Sequence, residues 1–398
     1  MCGIIGIISS RDVAPMLIDG LKRLEYRGYD SAGVATLVNG HVERRRTEGK
    51  IVNLQSALDC DPLSGTIGIG HTRWATHGLP NTTNAHPHAD DKVVLVHNGI
   101  IENFQDLRRD LTKQGHKFET DTDTEAVVHL ISRHLRDGKT PQEAVAAALK
   151  QLEGAFALAI LFVGHNKLMI GARRGSPLAV GFGDGEMYLG SDALALAPLT
   201  QKICYLEEGD WVEITPSHAV VHDETDQVVE REVSQTAVSG AMIGKGNYPH
   251  FMLKEIYEQP TTIGDTLHAM LNPWNQVIEL PEMPFDLTRV AKVTIIGCGT
   301  SYHAAMVAKY WFEQIAQIPV EVDIASEFRY RDAAMPQGGM ALFISQSGET
   351  ADTLAAQRYA RSQRQHIVTV VNVPESSMAR EADLVLTTHA GPEISVAS

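Results

Sequence analysis

The cysteine at position 2, directly after Met1 in MCGIIGIISS, is the first side chain in this sequence that could do chemistry. A thiol has a reference pKa of about 8.5, and a free α-amine one of about 7.7–8.0. If Met1 is removed, Cys2 carries both groups, and its amine can take the thiol proton and pass it to a leaving ammonia. The sequence therefore predicts an N-terminal nucleophile. A small buried cysteine and lipidation of Cys2 are the alternatives.

Attack of a thiolate on an amide creates an oxyanion, which needs preorganised hydrogen-bond donors. Asn98 and Gly99, near the end of a strand-like run, offer a side-chain NH2 and a backbone N–H, although Asn-Gly is also a common tight-turn dipeptide. Arg73 could hold a carboxylate with two hydrogen bonds, or form a surface ion pair. Asp123 could bind an ammonium group, or cap a helix.

A metal site is the competing interpretation of the first half of the chain. Histidines are dense in this region, and the His-x-His spacing can open a metal site: His71, His77, His86, His88 and His97. Acidic ligands are not clearly spaced beside them, so we expect no metal.

Two hydroxyl-rich loops in the second half, GCGTS (297–301) and SQSGET (345–350), each follow an apolar strand and precede a helical pattern. A loop that leads into a helix N-terminus offers free N–H groups to a phosphate, and two such loops of a parallel sheet meet at one edge. The rival is a dinucleotide-binding fold, with Gly297, Gly299 and an acid at Asp323. Tyr302, however, occupies the position of the third glycine.

The residues that could do chemistry lie in two segments of the chain with different predicted secondary structure. Residues 2–235 read as α+β, with strands near 4–9, 33–38, 66–72, 92–99, 155–162, 167–173 and 210–215 and helices near 13–25, 123–136 and 141–152. Residues 236–250 read as a linker. Residues 251–398 begin with a helix in which Pro260 predicts a kink or a break, and then alternate strand and helix, which indicates a parallel doubly wound sheet.

The composition of the 398 residues is that of a globular protein, with 43% hydrophobic residues, 21% charged residues and a net charge of −15. The negative charge argues against binding to nucleic acid or to an anionic membrane. Four cysteines without a Cys-x-x-Cys pair predict no disulfide framework and a reducing, cytoplasmic location. No run approaches the length that spans a bilayer.

The motifs of the first half together resemble the class II glutamine amidotransferases: CGI (2–4), RGYDSAG (27–33), HTRWATHG (71–78), NAHPH (84–88), HNGIIEN (97–103) and TDTE (122–125). That resemblance implies an N-terminal-nucleophile hydrolase with an αββα sandwich. It implies that Cys2 is the nucleophile, that Asn98 and Gly99 form the oxyanion hole, and that Arg73 and Asp123 bind glutamine. Three further positions match pocket or ammonia-gating residues of the family: Trp74, Thr76 and His77.

The second half resembles the SIS (sugar isomerase) domain, which binds phosphosugars. The matching positions are Thr300, Ser301, Ser345, Gln346, Ser347, Thr350 and Ser398. An amidotransferase domain joined to a SIS domain resembles the glutamine–fructose-6-phosphate aminotransferases. The resemblance implies transfer of the glutamine amide nitrogen to fructose 6-phosphate, giving glucosamine 6-phosphate and glutamate, without a redox cofactor or metal. It also implies a homodimer formed through the SIS domain.

The chain departs from that family where it ends, because the family continues with a second SIS domain and a C-terminal tail. We therefore expect a fragment with a complete glutaminase half and an incomplete isomerase half. Two alternatives stay open. A phosphosugar sensor would not need Cys2, Asn98 and Asp123, and a glutaminase that serves a separate partner would not respond to fructose 6-phosphate.

Overall fold

The structure, a computed structural model, describes residues 2–235, 247–272 and 277–395. It divides into two compact units, Met1–Ala241 and Met242–Ser398. The linker predicted at 236–250 falls outside the described residues except for its last four positions, so the predicted domain limits stay a prediction.

The first unit is built on two antiparallel sheets. Its strands are β1 (Gly3–Ile8), β2 (Ser31–Val38), β3 (His41–Glu48), β4 (Ile67–Arg73), β5 (His88–Ala89), β6 (Val93–Ile101), β7 (Gly154–Phe162), β8 (Met169–Arg174), β9 (Ala179–Phe182), β10 (Met187–Gly190), β11 (Lys202–Tyr205), β12 (Trp211–Ile214), β13 (Ala219–His222), β14 (Val228–Val229) and β15 (Val233–Gln235). The first sheet has the order β15-β11-β9-β10-β1-β4-β2-β3, and the second β14-β13-β12-β8-β7-β6-β5.

Helices cover the outer face of each sheet. They are α1 (Ala14–Leu24), α2 (Ile51–Cys60), α3 (Phe104–Lys113), α4 (Thr124–Arg136), α5 (Pro141–Leu149) and α6 (Ala193–Leu196). The helices α1, α2 and α6 pack on the first sheet, and α3, α4 and α5 pack on the second. A third apolar cluster lies between the sheets. These layers are the αββα sandwich that the sequence predicted.

Local sequence explains several of these boundaries. Helix α5 begins at Pro141 behind a capping box, in which the Thr140 hydroxyl accepts from the Glu143 backbone N–H and the Glu143 carboxylate accepts from the Thr140 N–H. In α1, Leu17, Leu21 and Leu24 are fully buried, as their helical spacing predicts.

The second unit contains a parallel five-stranded sheet with the order β19-β18-β20-β21-β22. Its elements are α7 (Phe251–Met270), β16 (Leu271–Asn272), β17 (Val277–Ile278), β18 (Val293–Gly297), α8 (Gly299–Trp311), β19 (Val320–Ile324), α9 (Ala325–Phe328), β20 (Met340–Ser345), α10 (Ala351–Ser362), β21 (His366–Val371), α11 (Ser377–Arg380) and β22 (Leu384–Thr387). Apolar clusters cover both faces of the sheet, as in a doubly wound fold.

One expectation about the second unit needs correction. The break predicted at Pro260 is wrong, because Pro260 lies inside α7, which runs as one helix from Phe251 to Met270. Several strands were also not predicted, above all β3, whose sequence HVERRRTE is highly charged. None of the helices in the described ranges has the length and hydropathy needed to cross a bilayer.

Candidate active site

Three strands bring the candidate residues of the first unit to one end of the layer between the sheets. In β1, β4 and β6 every second side chain joins the apolar cluster between the sheets: Ile4, Ile8, Ile67, Ile69, Val94 and Val96. Because side chains alternate along a strand, the same register points Cys2, Arg73 and Asn98 into that layer. The start of β1 pairs with the end of β4, where Gly3 lies opposite Thr72.

The thiol of Cys2 lies against the backbone of Trp74. The Trp74 N–H donates to Sγ at 3.2 Å, and Sγ lies 3.5 Å from the Trp74 carbonyl oxygen. Burial raises the pKa of the thiol; the Trp74 hydrogen bond and the charge of Arg73 lower it, and Asp123 raises it. The balance favours the neutral thiol at rest, so attack on an amide requires a base next to it.

The side chain of Asn98 bridges the nucleophile and a buried histidine. Its Nδ2 donates to the carbonyl oxygen of Cys2 at 3.0 Å, and its Oδ1 lies 3.1 Å from Nε2 of His71. The next residue, Gly99, has a φ of 110°. A Cβ there would meet the Ala155 carbonyl oxygen at 2.0 Å, so this backbone conformation requires glycine. The Asn-Gly pair thus lies within a strand and is not a free turn.

The guanidinium of Arg73 is held by the loop that follows β4. It donates to the carbonyl oxygens of Gly78 and Leu79 at 3.3 Å and to that of His77 over a shorter contact. Arg73 is 3% exposed, which excludes the surface ion pair considered as the alternative. A buried, oriented guanidinium can bind a carboxylate strongly, because burial strengthens charge-assisted hydrogen bonds.

The carboxylate of Asp123 lies at the start of α4 but does not cap this helix with a side-chain hydrogen bond. Its Oδ2 instead accepts from the Ile101 N–H at 2.9 Å and lies 3.9 Å from Nδ1 of His97. Asp123 is buried. The capping alternative is therefore wrong, and the carboxylate is placed by β6, the strand that also carries Asn98.

The three remaining candidates of this unit lie on the loop after β4. Trp74 is 46% exposed, and its ring contacts Tyr29 edge-on with 5.6 Å between centroids. Thr76 is exposed, and its hydroxyl lies 3.4 Å from Nδ1 of His77. The His77 ring packs edge-on against Phe104 at 5.0 Å. The backbone of Trp74 thus contacts the Cys2 thiol, while its indole is half exposed.

The histidine-rich region forms a buried group of rings. Burial lowers the pKa of His71 and of His88 to about 3, and that of His86 well below its usual value. Burial also lowers the pKa of His97. The hydroxyl of Thr124 connects His97 and His86, at 3.0 and 3.4 Å. Across the described ranges, no group of three or more histidine, cysteine or acidic side chains is arranged to hold a metal ion.

In the second unit a cavity of about 320 Å³ opens at the carboxyl ends of β20 and β21. Of the predicted phosphosugar residues, Ser301, Ser345 and Gln346 line it. Thr350 contacts Ser345 at 3.3 Å between hydroxyls, whereas Thr300 is exposed and does not line the cavity. The Ser347 hydroxyl accepts from the Glu349 N–H within the same loop. Ser398 lies outside the described residues.

Three carboxylates that were not predicted as site residues also line this cavity: Glu255, Glu258 and Glu393. Glu255 of α7 accepts from the backbone N–H groups of Ile394 and Ser395 at 2.8 and 3.2 Å. Burial and the neighbouring Glu255 raise the pKa of Glu393 to about 7. Glu255 and Glu258 lie in the run EIYEQP (255–260), but nothing in the spacing of this run indicates that Glu255 holds a segment about 140 residues away.

Comparison with known proteins places both units. The family model for a glutamine amidotransferase domain matches residues 71–198, and the model for the SIS domain matches residues 286–398. The glutamine–fructose-6-phosphate aminotransferase [isomerizing] of Zymomonas mobilis subsp. mobilis is 61% identical over 398 residues, which is 100% of this chain and 66% of that protein. A Bradyrhizobium diazoefficiens protein of the same name is 58% identical over 399 residues, with the same coverage of both chains.

The chain belongs to the glutamine–fructose-6-phosphate aminotransferase family. It spans 66% of the length of these curated relatives. A glutamine phosphoribosylpyrophosphate amidotransferase from B. subtilis has a TM-score of 0.51 at 18% identity, covering 98% of this chain and 91% of that one. This structural likeness supports the N-terminal-nucleophile hydrolase fold of the first unit.

The structure adds contacts that the sequence did not indicate. Asp30 accepts from the Ala75 N–H at 2.9 Å, and its own N–H donates to the Arg73 carbonyl oxygen at 3.0 Å, so it fixes the loop that carries Trp74. Asp30 lies in the motif RGYDSAG, which was the one available signal. His71 and Thr124 contact partners more than 25 residues away, and no local pattern marks such pairs.

Proposed function

We propose that the first unit hydrolyses L-glutamine at Cys2. The observation that carries this proposal is the group of contacts around Cys2, which combines a thiol on the Trp74 backbone with an Asn98 amide donor bound to the Cys2 carbonyl oxygen. Arg73 and Asp123, both buried and both near enough to act on the thiol by charge, would bind the α-carboxylate and α-ammonium groups of the substrate.

The proposed reaction begins once Met1 has been removed. The free α-amine of Cys2 takes the thiol proton, and Sγ forms a bond to the carboxamide carbon of glutamine. Asn98 Nδ2 and the Gly99 N–H stabilise the oxyanion. Ammonia leaves with the proton held by the amine, and the thioester remains. Water then attacks the thioester, which releases glutamate and restores the thiol.

The second unit would use the ammonia. We propose that its cavity takes the phosphate end of fructose 6-phosphate, because Ser301 and Ser345 offer hydroxyl donors beside the N-terminus of α8. In the whole protein, ammonia would add to the sugar and isomerisation would give glucosamine 6-phosphate. The names of the relatives, which this chain covers over 66% of their length, support this assignment.

We also propose a cytoplasmic location, since the reaction needs a reduced thiol, and a homodimer formed through the second unit. The exposed apolar side chains of α7 and α8 support self-association: Ile256, Tyr257, Met306, Tyr310 and Trp311. Both remain proposals.

The test is glutamate release from glutamine by the whole chain, with and without fructose 6-phosphate. Intact mass should first show that Met1 is absent. We expect release by the wild-type chain and by Cys60→Ala, which removes an exposed cysteine, and no release by Cys2→Ala. If Cys2→Ala releases glutamate as fast as wild type, the glutaminase assignment is overturned. If fructose 6-phosphate does not change glutamate release by wild type, the glutaminase proposal stands, but coupling to the second unit is contradicted.

A further inference from the structure

His71 is fully buried, yet the proposed reaction gives it no step. It lies on β4 two residues before Arg73, so its side chain points into the layer between the sheets. It faces Asn98, which enters that layer from the other sheet. The ring of His86 stacks on it, with centroids 4.1 Å apart and planes inclined by 14°. The imidazole is thus fixed in position directly behind the proposed oxyanion donor.

The tautomer of His71 follows from its neighbours. Its Nε2 lies 2.9 Å from the carbonyl oxygen of His97, which can only accept a hydrogen bond. Nε2 must therefore carry a proton. Burial keeps the ring neutral at physiological pH, so Nδ1 carries none. Nδ1 is buried and has no hydrogen-bond partner among the described residues, which is consistent with a bare nitrogen.

A protonated Nε2 determines which way the Asn98 amide points. The amide atom 3.1 Å from Nε2 must be an acceptor, and it is Oδ1. Nδ2 is then directed to the other side, where it donates to the Cys2 carbonyl oxygen at 3.0 Å. A flipped amide would place NH2 against an N–H donor and would present an oxygen to the oxyanion. That orientation is unfavourable on both sides of the amide.

We propose that His71 is a positioning residue for glutamine hydrolysis, which holds the Asn98 amide with its N–H donors toward the oxyanion site. The inference rests on the proposed glutaminase function. His71 touches neither the substrate nor the thiol and acts through Asn98 alone. Its effect belongs to the transition state, because the oxyanion develops there, while Arg73 and Asp123 bind the ground state.

Two nearly isosteric substitutions separate the hydrogen bond from the space that His71 fills. The amide nitrogen of Gln is as many bonds from Cβ as Nε2 of His, so His71→Gln can donate to the same two oxygens. His71→Met fills a similar volume without a donor. Loss of an oxyanion-hole donor lowers kcat by about 10²–10³-fold, and a donor that still samples its orientation should cost less. We expect about 10- to 100-fold for His71→Met, with KM changed less than about threefold.

The experiment measures kcat and KM for glutamine hydrolysis by wild type, His71→Gln, His71→Met and the control His88→Gln. His88 is a second buried histidine of the group, bonded to Thr122 and not to Asn98. We expect His71→Gln to recover most of the kcat lost in His71→Met, and His88→Gln to keep wild-type kcat. Equal kcat in His71→Met and wild type would overturn the inference.

Alkylation of Cys2 by iodoacetamide distinguishes this role from a structural one. That reaction forms a carbon–sulfur bond and releases iodide without an oxyanion, so we expect an unchanged rate in His71→Met. A loss in alkylation equal to the loss in hydrolysis would show a general disturbance of the site and overturn the inference. The double variant His71→Met/Asn98→Ala should have the same kcat as Asn98→Ala alone, because His71 acts through Asn98. A further loss of kcat as large as that of His71→Met alone would also overturn the inference. Wild type without glutaminase activity would instead mean that the proposed function has failed.

Discussion

Gly99 reverses the usual sign of φ inside a strand, one residue after the Asn98 amide. Its φ of 110° lies in a region that a residue with a Cβ rarely adopts, and the Ala155 carbonyl oxygen occupies the space where a Cβ would be. Strand β6 nevertheless continues through it to Ile101 and pairs with β7, Gly99 lying opposite Phe156. The pairing with β7 continues before and after Gly99, so the strand imposes this conformation, and glycine is the residue that can adopt it.

Replacing Gly99 with a residue that has a Cβ should lower catalysis more than the backbone strain alone would. We expect Gly99→Ala to lower kcat for glutamine hydrolysis by at least about 100-fold, because relief of the contact with Ala155 must rotate the Gly99 N–H away from the oxyanion. Strain of this kind costs about 1–3 kcal/mol, so thermal unfolding should also occur at lower temperature.

Gly115→Ala is the matched control for this prediction. Gly115 has a φ of 93°, but no atom lies within 4 Å of the place that the methyl group of an alanine would take, so it shares the strain without the collision. We expect Gly115→Ala to lower the unfolding temperature slightly and to keep wild-type kcat. Full glutaminase activity in Gly99→Ala would show that the Gly99 N–H does not take part in the reaction.

At the scale of single elements, local sequence patterns predicted many of the strands and helices. Short apolar runs bounded by Gly, Asn, Asp and Pro located β1, β4, β6 and β7, and Pro141 marked the start of α5. Strand β3 was not predicted because Arg44, Arg45 and Arg46 put charge where such a run would be apolar. These arginines are tolerated because of tertiary contacts. Arg46 donates to the carbonyl oxygens of Thr83 and Ala85, which belong to a loop far along the chain.

In the candidate site, too, local motifs indicated the residues, while contacts between distant parts of the chain could be seen only in the structure. Cys2, Asn98, Arg73 and Asp123 could be singled out because the motifs around them together resemble the class II glutamine amidotransferases, although each residue alone allowed another interpretation. The placement of the Asp123 carboxylate required the structure. An aspartate before a helix predicts a cap, but this side chain makes no cap hydrogen bond and accepts from the Ile101 N–H instead. The uninterrupted α7 could not be predicted either, because a proline inside a helical pattern usually ends it.

Helix α4 contains a buried ionic group that should make stability depend on pH. His129 lies 3.6 Å from both Asp90 and Glu125, and Glu125 also accepts from the backbone N–H groups of Glu119 and Thr120. Burial alone would lower the pKa of His129, but the two carboxylates raise it to about 9. The hydrogen bonds to Glu125 hold the pKa of its carboxyl near 2 against the opposite effect of burial.

The sign of the effect follows from the pKa of His129 in each state. A histidine whose folded pKa of about 9 lies above its unfolded value of about 6.5 stabilises the protein fully below pH 6.5 and loses this contribution as the pH rises through 9. We therefore expect the free energy of unfolding of the first unit to fall between pH 6.5 and 9, by an amount on the order of 2–3 kcal/mol. Denaturant unfolding at several pH values measures it.

The variant His129→Gln should remove that pH dependence. His134→Gln is the control on the same helix, because the pKa of His134 is lowered and its titration falls below this pH range. An unfolding free energy of His129→Gln that still falls between pH 6.5 and 9 as in the wild type would contradict the assignment of the effect to this group.

At the scale of the whole molecule, each unit has apolar clusters of its own. Among the residues that the structure describes, three clusters of buried side chains lie in the first unit, with members up to Val221, and two lie in the second, with members from Val290 onward. Separate cores of this size can unfold as separate cooperative units, because cooperativity follows the packing that is shared. The proposed division of labour, glutaminase in one unit and phosphosugar cavity in the other, follows the same division of the core.

Two core substitutions in the whole chain test this independence. Leu158→Ala removes a fully buried side chain between the second sheet and its helices, and Phe343→Ala does the same beside α10. Truncations of this kind cost about 2–5 kcal/mol. We expect calorimetry to resolve two transitions, with Leu158→Ala lowering the temperature of one and Phe343→Ala that of the other. Glutaminase activity after heating should disappear with the transition that Leu158→Ala shifts. A single transition that both substitutions lower equally would show that the two cores unfold as one.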